Sequence, residues 1–250
     1  MGGIDTKRWG WENIRVSEKP KLTRSGYRRI IVIYLAMFFN AILFFAAAGR
    51  IDLPRAWAYI IILALLQTTI FILMLVRFPE MAEVVNVRGE MKMPKVWDRV
   101  FALFYALATM LLLPLIAGFD VGRYHWSNLS IWWMVPGVIL LLFAMFLAEW
   151  ALMENRFFEL GVRVQKERGH KVISTGPYAI VRHPGYIAFI LLYFSFPLIV
   201  GSFYVLFASL FTALLLVIRT ALEDATLQKE LDGYVEYTKK TRYRLIPFIW

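Results

Sequence analysis

The sequence contains no cysteine and only three histidines among its 250 residues. Without cysteine there is no disulfide, no thiolate nucleophile and no cysteine-ligated metal. The histidines, His125, His170 and His183, do not form a metal-binding pattern, and we expect no metal site. The sequence also lacks the HExxH motif of zinc peptidases, the GxGxxG motif of Rossmann folds and the GxxxxGK[ST] motif of P-loops.

Charge is scarce as well. Charged residues make up 18% of the chain and hydrophobic residues 60%, with a mean hydropathy of +0.59. Soluble domains average about 45–50% apolar and roughly 25% charged residues. The apolar excess lies in long runs, which predicts an all-α, polytopic membrane helical bundle of about six spans. The predicted spans are approximately 27–49, 54–76, 100–118, 131–150, 186–200 and 203–218.

Polar segments divide the chain into three predicted regions. Residues 1–26 form a polar N-terminal arm without a cleavable signal, residues 27–149 hold four spans and an interfacial segment at 77–98, and residues 150–250 hold a helical hairpin and a C-terminal helix. Lys and Arg cluster in the arm and in segments 77–99 and 151–185. The positive-inside rule therefore places both termini on the cytoplasmic side. The link after the third span contains Asp120 and His125, which we expect to be solvated.

The net charge of +10 is explained by contact with lipid headgroups, and no nucleic-acid-binding motif is present. The membrane itself is thus the first predicted partner. Transporters usually contain inverted repeats, and the sequence shows no internal repeat.

The segment GHKVISTGPYAIVRHPGY, residues 169–186, is the first candidate site. Proline fits the first turn of a helix, so Pro184 predicts a helix that begins just after His183. Free backbone N–H groups and the positive dipole end would then stabilise an anionic group. The alternative is a loop that only anchors His183 and Tyr186 at the membrane interface.

Arg219 and Glu223 form the second candidate site, at the end of the last apolar run. Their spacing of four residues places them on one helix face. Either they form an interfacial ion pair with a snorkelling arginine, or they belong to a ligand site opposite residues 169–186.

The ordered motifs resemble the isoprenylcysteine carboxyl methyltransferase family, which is related to phospholipid methyltransferases. The resemblance covers about residues 150–250. It rests on the order G-x-Y, R-H-P-x-Y, a hairpin, R-x-x-x-E-[ED], Y-x-x-Y and a Leu-x-Pro-like end. It implies S-adenosylmethionine as the methyl donor, a cytoplasmic cofactor site and a lipid or lipidated acceptor.

Site residues follow from the same resemblance. Arg219 and Glu223 are the expected catalytic residues, with Arg219 facing the acceptor and Glu223 also binding the cofactor's ammonium group. The other expected cofactor-binding residues are Gln165, His170, Lys171, Val172, Ile173, Tyr178, His183, Pro184, Gly185 and Tyr186. Arg163 replaces Gln165 if the alignment has no gap.

The sequence does not identify the acceptor of the methyl group. A prenylcysteine-type carboxylate is the first expectation, and a phospholipid or a small thiol are alternatives. Membrane sterol-type reductases share a late R-H-P-x-Y region, so NADPH-dependent reduction is the competing enzyme class.

Overall fold

A computed structural model describes residues 21–90, 95–159 and 161–250. The rest of the predicted N-terminal arm (residues 1–20) and residues 91–94 of the predicted interfacial segment lie outside the described residues. The described chain is helical and contains no strand. Its helices are α1 (Arg24–Ala48), α2 (Pro54–Arg77), α3 (Met81–Arg88), α4 (Val96–Tyr124), α5 (Met134–Glu154), α6 (Pro184–Val200), α7 (Tyr204–Glu230) and α8 (Tyr234–Lys240).

Helices α1, α2, α4, α5 and α7 are long and apolar enough to cross a membrane. Helix α6 is apolar but has only 17 residues. At 1.5 Å per residue it extends about 25 Å, slightly less than the roughly 30 Å hydrocarbon core of a bilayer. The predicted polytopic helical bundle is confirmed, with α6 as the short sixth apolar helix.

Helix α4 extends further than the sequence indicated. It begins at Val96 and continues through two π-helical turns, Ala108–Leu112 and Phe119–Tyr124. The expectation that Asp120 is solvated is wrong, because its side chain is fully buried. Its carboxylate accepts hydrogen bonds from the hydroxyl groups of Ser127 and Ser202, which lets a charged residue remain inside the helical bundle.

The short links between helices let neighbouring helices pack closely. Pro54 occupies the first turn of α2, where its missing N–H costs nothing. Gly201, between α6 and α7, has φ +92°, a left-handed conformation that side-chain-bearing residues rarely adopt. Arg55 donates hydrogen bonds to the carbonyl groups of Leu198 and Ile199, and so caps the end of α6.

Helix α6 is the centre of the packing. It lies along α5 over most of its length and also contacts α7 and α2, while α1 packs against α4 and α3. Large apolar side chains such as Phe38 and Leu65 point outward and are 64% and 62% exposed. Exposed apolar side chains are expected on helices that face lipid. The polar ends of α5, α6 and α7 meet on one face of this bundle, next to α8.

Candidate active site

A pocket with a cavity volume of about 70 Å³, partly open to solvent, lies where the loop after α5 meets the start of α6, the last turns of α7 and α8. Expected cofactor residues that line it are His170, Lys171, Val172, Ile173, Tyr178, His183, Gly185, Tyr186 and Glu223. The structure therefore brings both candidate segments, residues 169–186 and the end of α7, to one cavity.

The start of α6 forms one wall of the pocket. His183 is the N-cap residue and Pro184 the first helical residue, as the sequence predicted. The backbone N–H groups of Arg182 and His183 donate to the carbonyl groups of Tyr243 and Arg244. These bonds fix the loop from which α6 begins, and the positive dipole end of α6 therefore lies at the cavity. Pro184 has no N–H and the N–H of Tyr186 already donates to the carbonyl of His183, so the backbone N–H of Gly185 is the nearest donor of this turn. Pro184 is buried and lies outside the lining.

Gly185 lets the chain after α5 approach this helix. A Cβ atom at Gly185 would lie 2.5 Å from Cε2 of Phe158, closer than atoms in contact can be. Gly185 and Phe158 both line the pocket. The missing side chain thus determines the width of the cavity at the start of α6.

Glu223 lies opposite this wall. The Tyr186 hydroxyl donates a hydrogen bond to Oε2 of Glu223, and the Tyr186 ring stacks on that of His183, with centroids 5.8 Å apart. Glu223 is only partly buried. Its carboxylate is held in position and still reaches the cavity, where it can pair with a cation.

Asp224, the next residue, has a role that the sequence did not reveal. It is fully buried, and Arg182 donates to it from Nε and Nη2 at 2.8 and 3.1 Å. Arg244 donates from Nε at 2.9 Å and the Tyr234 hydroxyl at 3.0 Å. Asp224 therefore ties together the start of α6, α7, α8 and the segment that follows α8.

The loop after α5 forms the opposite rim. The His170 ring stacks on that of Phe157 with centroids 4.4 Å apart, and Nδ1 of His170 accepts a hydrogen bond from the backbone N–H of Gln165. Burial, and after it the charges of Arg168 and Arg163, lower the pKa of His170 to about 4. The ring is therefore neutral at pH 7.

Gln165 lies behind this rim and outside the pocket lining. It is 1% exposed, its Nε2 donates to the carbonyl of Phe157, and its Oε1 accepts from Arg168. In this arrangement Gln165 supports Phe157 and His170, which face the cavity. Its direct contact with a cofactor stays a prediction, and its alternative Arg163 does line the pocket.

Arg219 also lies outside the pocket lining. Its guanidinium is placed over the ring of Phe101 at 4.9 Å and that of Tyr186 at 5.7 Å. Its Nη2 lies 2.9 Å from the carboxylate of Asp98, which is fully buried and also accepts from the backbone N–H of Val162. Arg219 thus sits on the far side of Tyr186 from His183, one ring away from Glu223.

Arg88 is a further residue that the sequence did not single out. Its Nε donates to the carbonyl of Phe158 at 2.7 Å, and its Nη2 lies within 3.5 Å of the carbonyl groups of Leu152 and Asn155. The carbonyl groups of Leu152 and Asn155 lie at the C-terminal end of α5, where the helix dipole favours a cation. Burial lowers the pKa of Arg88 to about 9, so it remains a cation at pH 7. Arg88 thereby fixes the loop that contains Phe158.

The pocket suits a zwitterionic ligand. It has the positive dipole end of α6 for a carboxylate and a partly exposed carboxylate, Glu223, for an ammonium group. Apolar and aromatic side chains make up much of the remaining lining. These are the recognition groups that the amino-acid part of S-adenosylmethionine needs. No cluster of three or more potential metal-ligating His, Asp or Glu residues is found in ranges 21–90, 95–159 and 161–250.

Comparison with known proteins agrees with this geometry. Residues 137–229 match the model of the isoprenylcysteine carboxyl methyltransferase (ICMT) family, which confirms the resemblance over that span. No curated protein matches the chain. The matched span includes the rim of the pocket, α6 and Glu223. Residues 137–229 are therefore similar to the isoprenylcysteine carboxyl methyltransferase family, within a chain that has five helices long and apolar enough to cross a membrane.

Proposed function

We propose that this protein transfers the methyl group of S-adenosylmethionine to a lipid-bearing acceptor, with a prenylcysteine-type carboxylate as the favoured acceptor. The observation that carries the proposal is the placement of Glu223 opposite the first turn of α6 in one pocket. The sulfonium of the cofactor supplies an activated methyl group, so the protein's main task is to orient the two reactants.

The roles of the lining residues follow from their positions. The positive dipole end of α6 binds the cofactor's carboxylate, and Glu223 binds the ammonium group. The Tyr186 hydroxyl keeps Glu223 in place. The neutral ring of His170 forms part of the rim, and residues 171–173 contact the cofactor with their backbone.

The tyrosine hydroxyls of the pocket do not supply a base. Burial raises the pKa of Tyr178, Tyr234 and Tyr237 well above the usual value, so all three stay protonated. A carboxylate acceptor attacks without losing a proton, whereas an amine or thiol acceptor requires a base. This difference favours the carboxylate over the phospholipid-amine and small-thiol alternatives. Arg219, whose guanidinium lies next to the Tyr186 ring, orients the carboxylate of the acceptor.

The orientation of the chain completes the proposal. The distribution of Lys and Arg supports an orientation with both termini and the pocket on the cytoplasmic side. The water-soluble cofactor then enters from the cytoplasm, and the acceptor approaches within the membrane.

Glu223→Gln provides the direct test. The substitution removes the negative charge, and a charge-assisted hydrogen bond is worth roughly 1.5–3 kcal/mol, so S-adenosylhomocysteine should bind about 10- to 100-fold more weakly. Binding is measured by titration calorimetry on the purified membrane protein. Glu236→Gln on the exposed part of α8 is the matched control and should bind normally.

The reductase alternative is tested with the same protein. Thermal stabilisation by S-adenosylhomocysteine and not by NADPH supports methyl transfer. Stabilisation by NADPH alone would overturn the proposal.

A further inference from the structure

A second cavity lies in the half of the helical bundle that is remote from the methyl-transfer pocket. Its volume is about 300 Å³, and it is enclosed by α1, α2, α4 and α6. The stretch of α6 that lines it, from Leu192 to Val200, is near the opposite end of the helix from His183. Its lining is predominantly apolar. A void of this size in hydrocarbon surroundings excludes water and, if empty, forfeits many dispersion contacts.

The cavity lies in a gap between α1 and α2. These helices are joined by a short link, yet α1 packs mainly on α4 and α3, and α2 packs mainly on α6. They touch near one end through Phe45 and Trp57, whose ring centroids are 4.8 Å apart. Towards the other end the hydroxyls of Tyr34 and Thr68 form a hydrogen bond of 2.6 Å. Both helices are long and apolar enough to cross a membrane, so the gap between these two contacts lies at the depth of the hydrocarbon region.

Three of the polar side chains in the wall, Asn40, Thr109 and Tyr193, already form hydrogen bonds within the protein. Nδ2 of Asn40 donates to the carbonyl of Ala36 at 2.9 Å, and the Thr109 hydroxyl donates to the carbonyl of Tyr105 at 2.8 Å. Each bond lies within the residue's own helix. The Tyr193 hydroxyl pairs with that of Tyr105. The cavity therefore presents a surface that suits hydrocarbon.

The backbone of α4 is irregular at this cavity. The π-helical turn Ala108–Leu112 supplies Thr109 and Met110 to the wall, and Pro114 follows it. Pro114 has no N–H, so the preceding turn is left without one of its regular hydrogen bonds. Single π turns within helices frequently occur at functional sites.

Aromatic side chains separate this cavity from the methyl-transfer pocket. Tyr193 lines the cavity and lies with its ring centroid 6.0 Å from that of Tyr105. Tyr105 stacks on Phe101 at 5.8 Å, and the Arg219 guanidinium lies over the other side of this cluster, 4.9 Å from the Phe101 centroid. A chain in the cavity would thus be several side chains away from Glu223.

We propose that this cavity binds the hydrocarbon chain of one membrane lipid, which enters between α1 and α2, in a site separate from the methyl-transfer pocket. The occupant is a lipid because the gap lies at the depth of the hydrocarbon region, between two contacts of spanning helices. The chain replaces the missing contacts between α1 and α2 and thereby holds α2 against the rest of the bundle.

Photocrosslinking tests the site. Wild-type protein in nanodiscs that contain a phospholipid with a diazirine group on its acyl chain should be labelled at the residues of α1 and α2 that line the cavity, and mass spectrometry at single-residue level separates this labelling from that of the lipid-facing residues. Ala36→Trp fills the cavity and should lose most of this labelling. Leu35→Trp places the same side chain on the outward face of α1, where Leu35 is 58% exposed, and should keep it.

Two further measurements decide between separate and shared sites. S-adenosylhomocysteine affinity should be the same in both variants. Undiminished labelling of Ala36→Trp overturns the proposal. So does a loss of methyl transfer to long-chain but not to short-chain acceptors, because the cavity would then hold the acceptor. If Ala36→Trp does not fold, Ala41→Leu fills part of the same cavity and should lower the labelling instead.

Discussion

Asp224→Asn is the substitution for which the structure makes the strongest prediction. The change keeps the shape of the side chain and removes the charge that Arg182, Arg244 and His183 surround. Arg182 is 7% exposed, so its guanidinium would stay buried without a counter-ion. Breaking a buried ion pair by removing one partner costs about 3–5 kcal/mol. Arg244 adds less, because its side chain is 31% exposed and can turn to water.

This loss should appear in thermal unfolding. For a chain of this size, 1 kcal/mol shifts Tm by roughly 2–4 °C, so the expected decrease is about 6–20 °C. The assay follows tryptophan fluorescence of the detergent-solubilised protein during heating. Asp232→Asn, on the exposed link before α8, is the matched control and should leave Tm unchanged. A Tm for Asp224→Asn equal to that of the control would refute the central role of this carboxylate.

Two more predictions concern the pocket rim and its pH response. Gly185→Ala forces the Phe158 ring away and should weaken S-adenosylhomocysteine binding. Gly137→Ala, equally tight against Ile199 but outside the pocket, should lower Tm without changing the affinity, and equal affinities in both variants would contradict the role of Gly185. The folded-state pKa of His170, about 4, lies below the usual 6.5, so its contribution to stability is complete above pH 6.5 and is lost as pH falls towards 4. Tm measured from pH 7 to pH 5 should fall less in His170→Asn than in wild type, and parallel curves would show that His170 is not the group responsible.

Much of the helical framework is predictable from local pattern. The first span was expected at 27–49 and lies at Arg24–Ala48, and the second begins at Pro54 as expected. The His183 N-cap also follows from local chemistry, since Pro184 favours the first helical turn. Helix α4 was placed too short because Asp120 suggests a solvated link. Its actual partners, Ser127 and Ser202, become neighbours only when the helices pack.

The candidate site is predictable in outline but not in its electrostatics. The order of the motifs predicts that His183 and Glu223 lie close together, and both residues line the pocket. Nothing in the sequence pairs Asp98 with Arg219, because Asp98 belongs to a segment with charges at nearly every turn. The same holds for Asp224, whose partners come from three other parts of the fold: the start of α6, α8 and the segment after α8. Long-range ion pairs leave no periodic signal in a single sequence.

The backbone bonds from Arg182 and His183 to Tyr243 and Arg244 have a consequence for biosynthesis. The segment that follows α8 is translated after every membrane-spanning helix, yet it fixes the loop from which α6 begins. A nascent chain that stops at α7 therefore has its helices but not a finished cofactor wall. The wall of the pocket at the start of α6 is thus complete only when the segment after α8 has been synthesised.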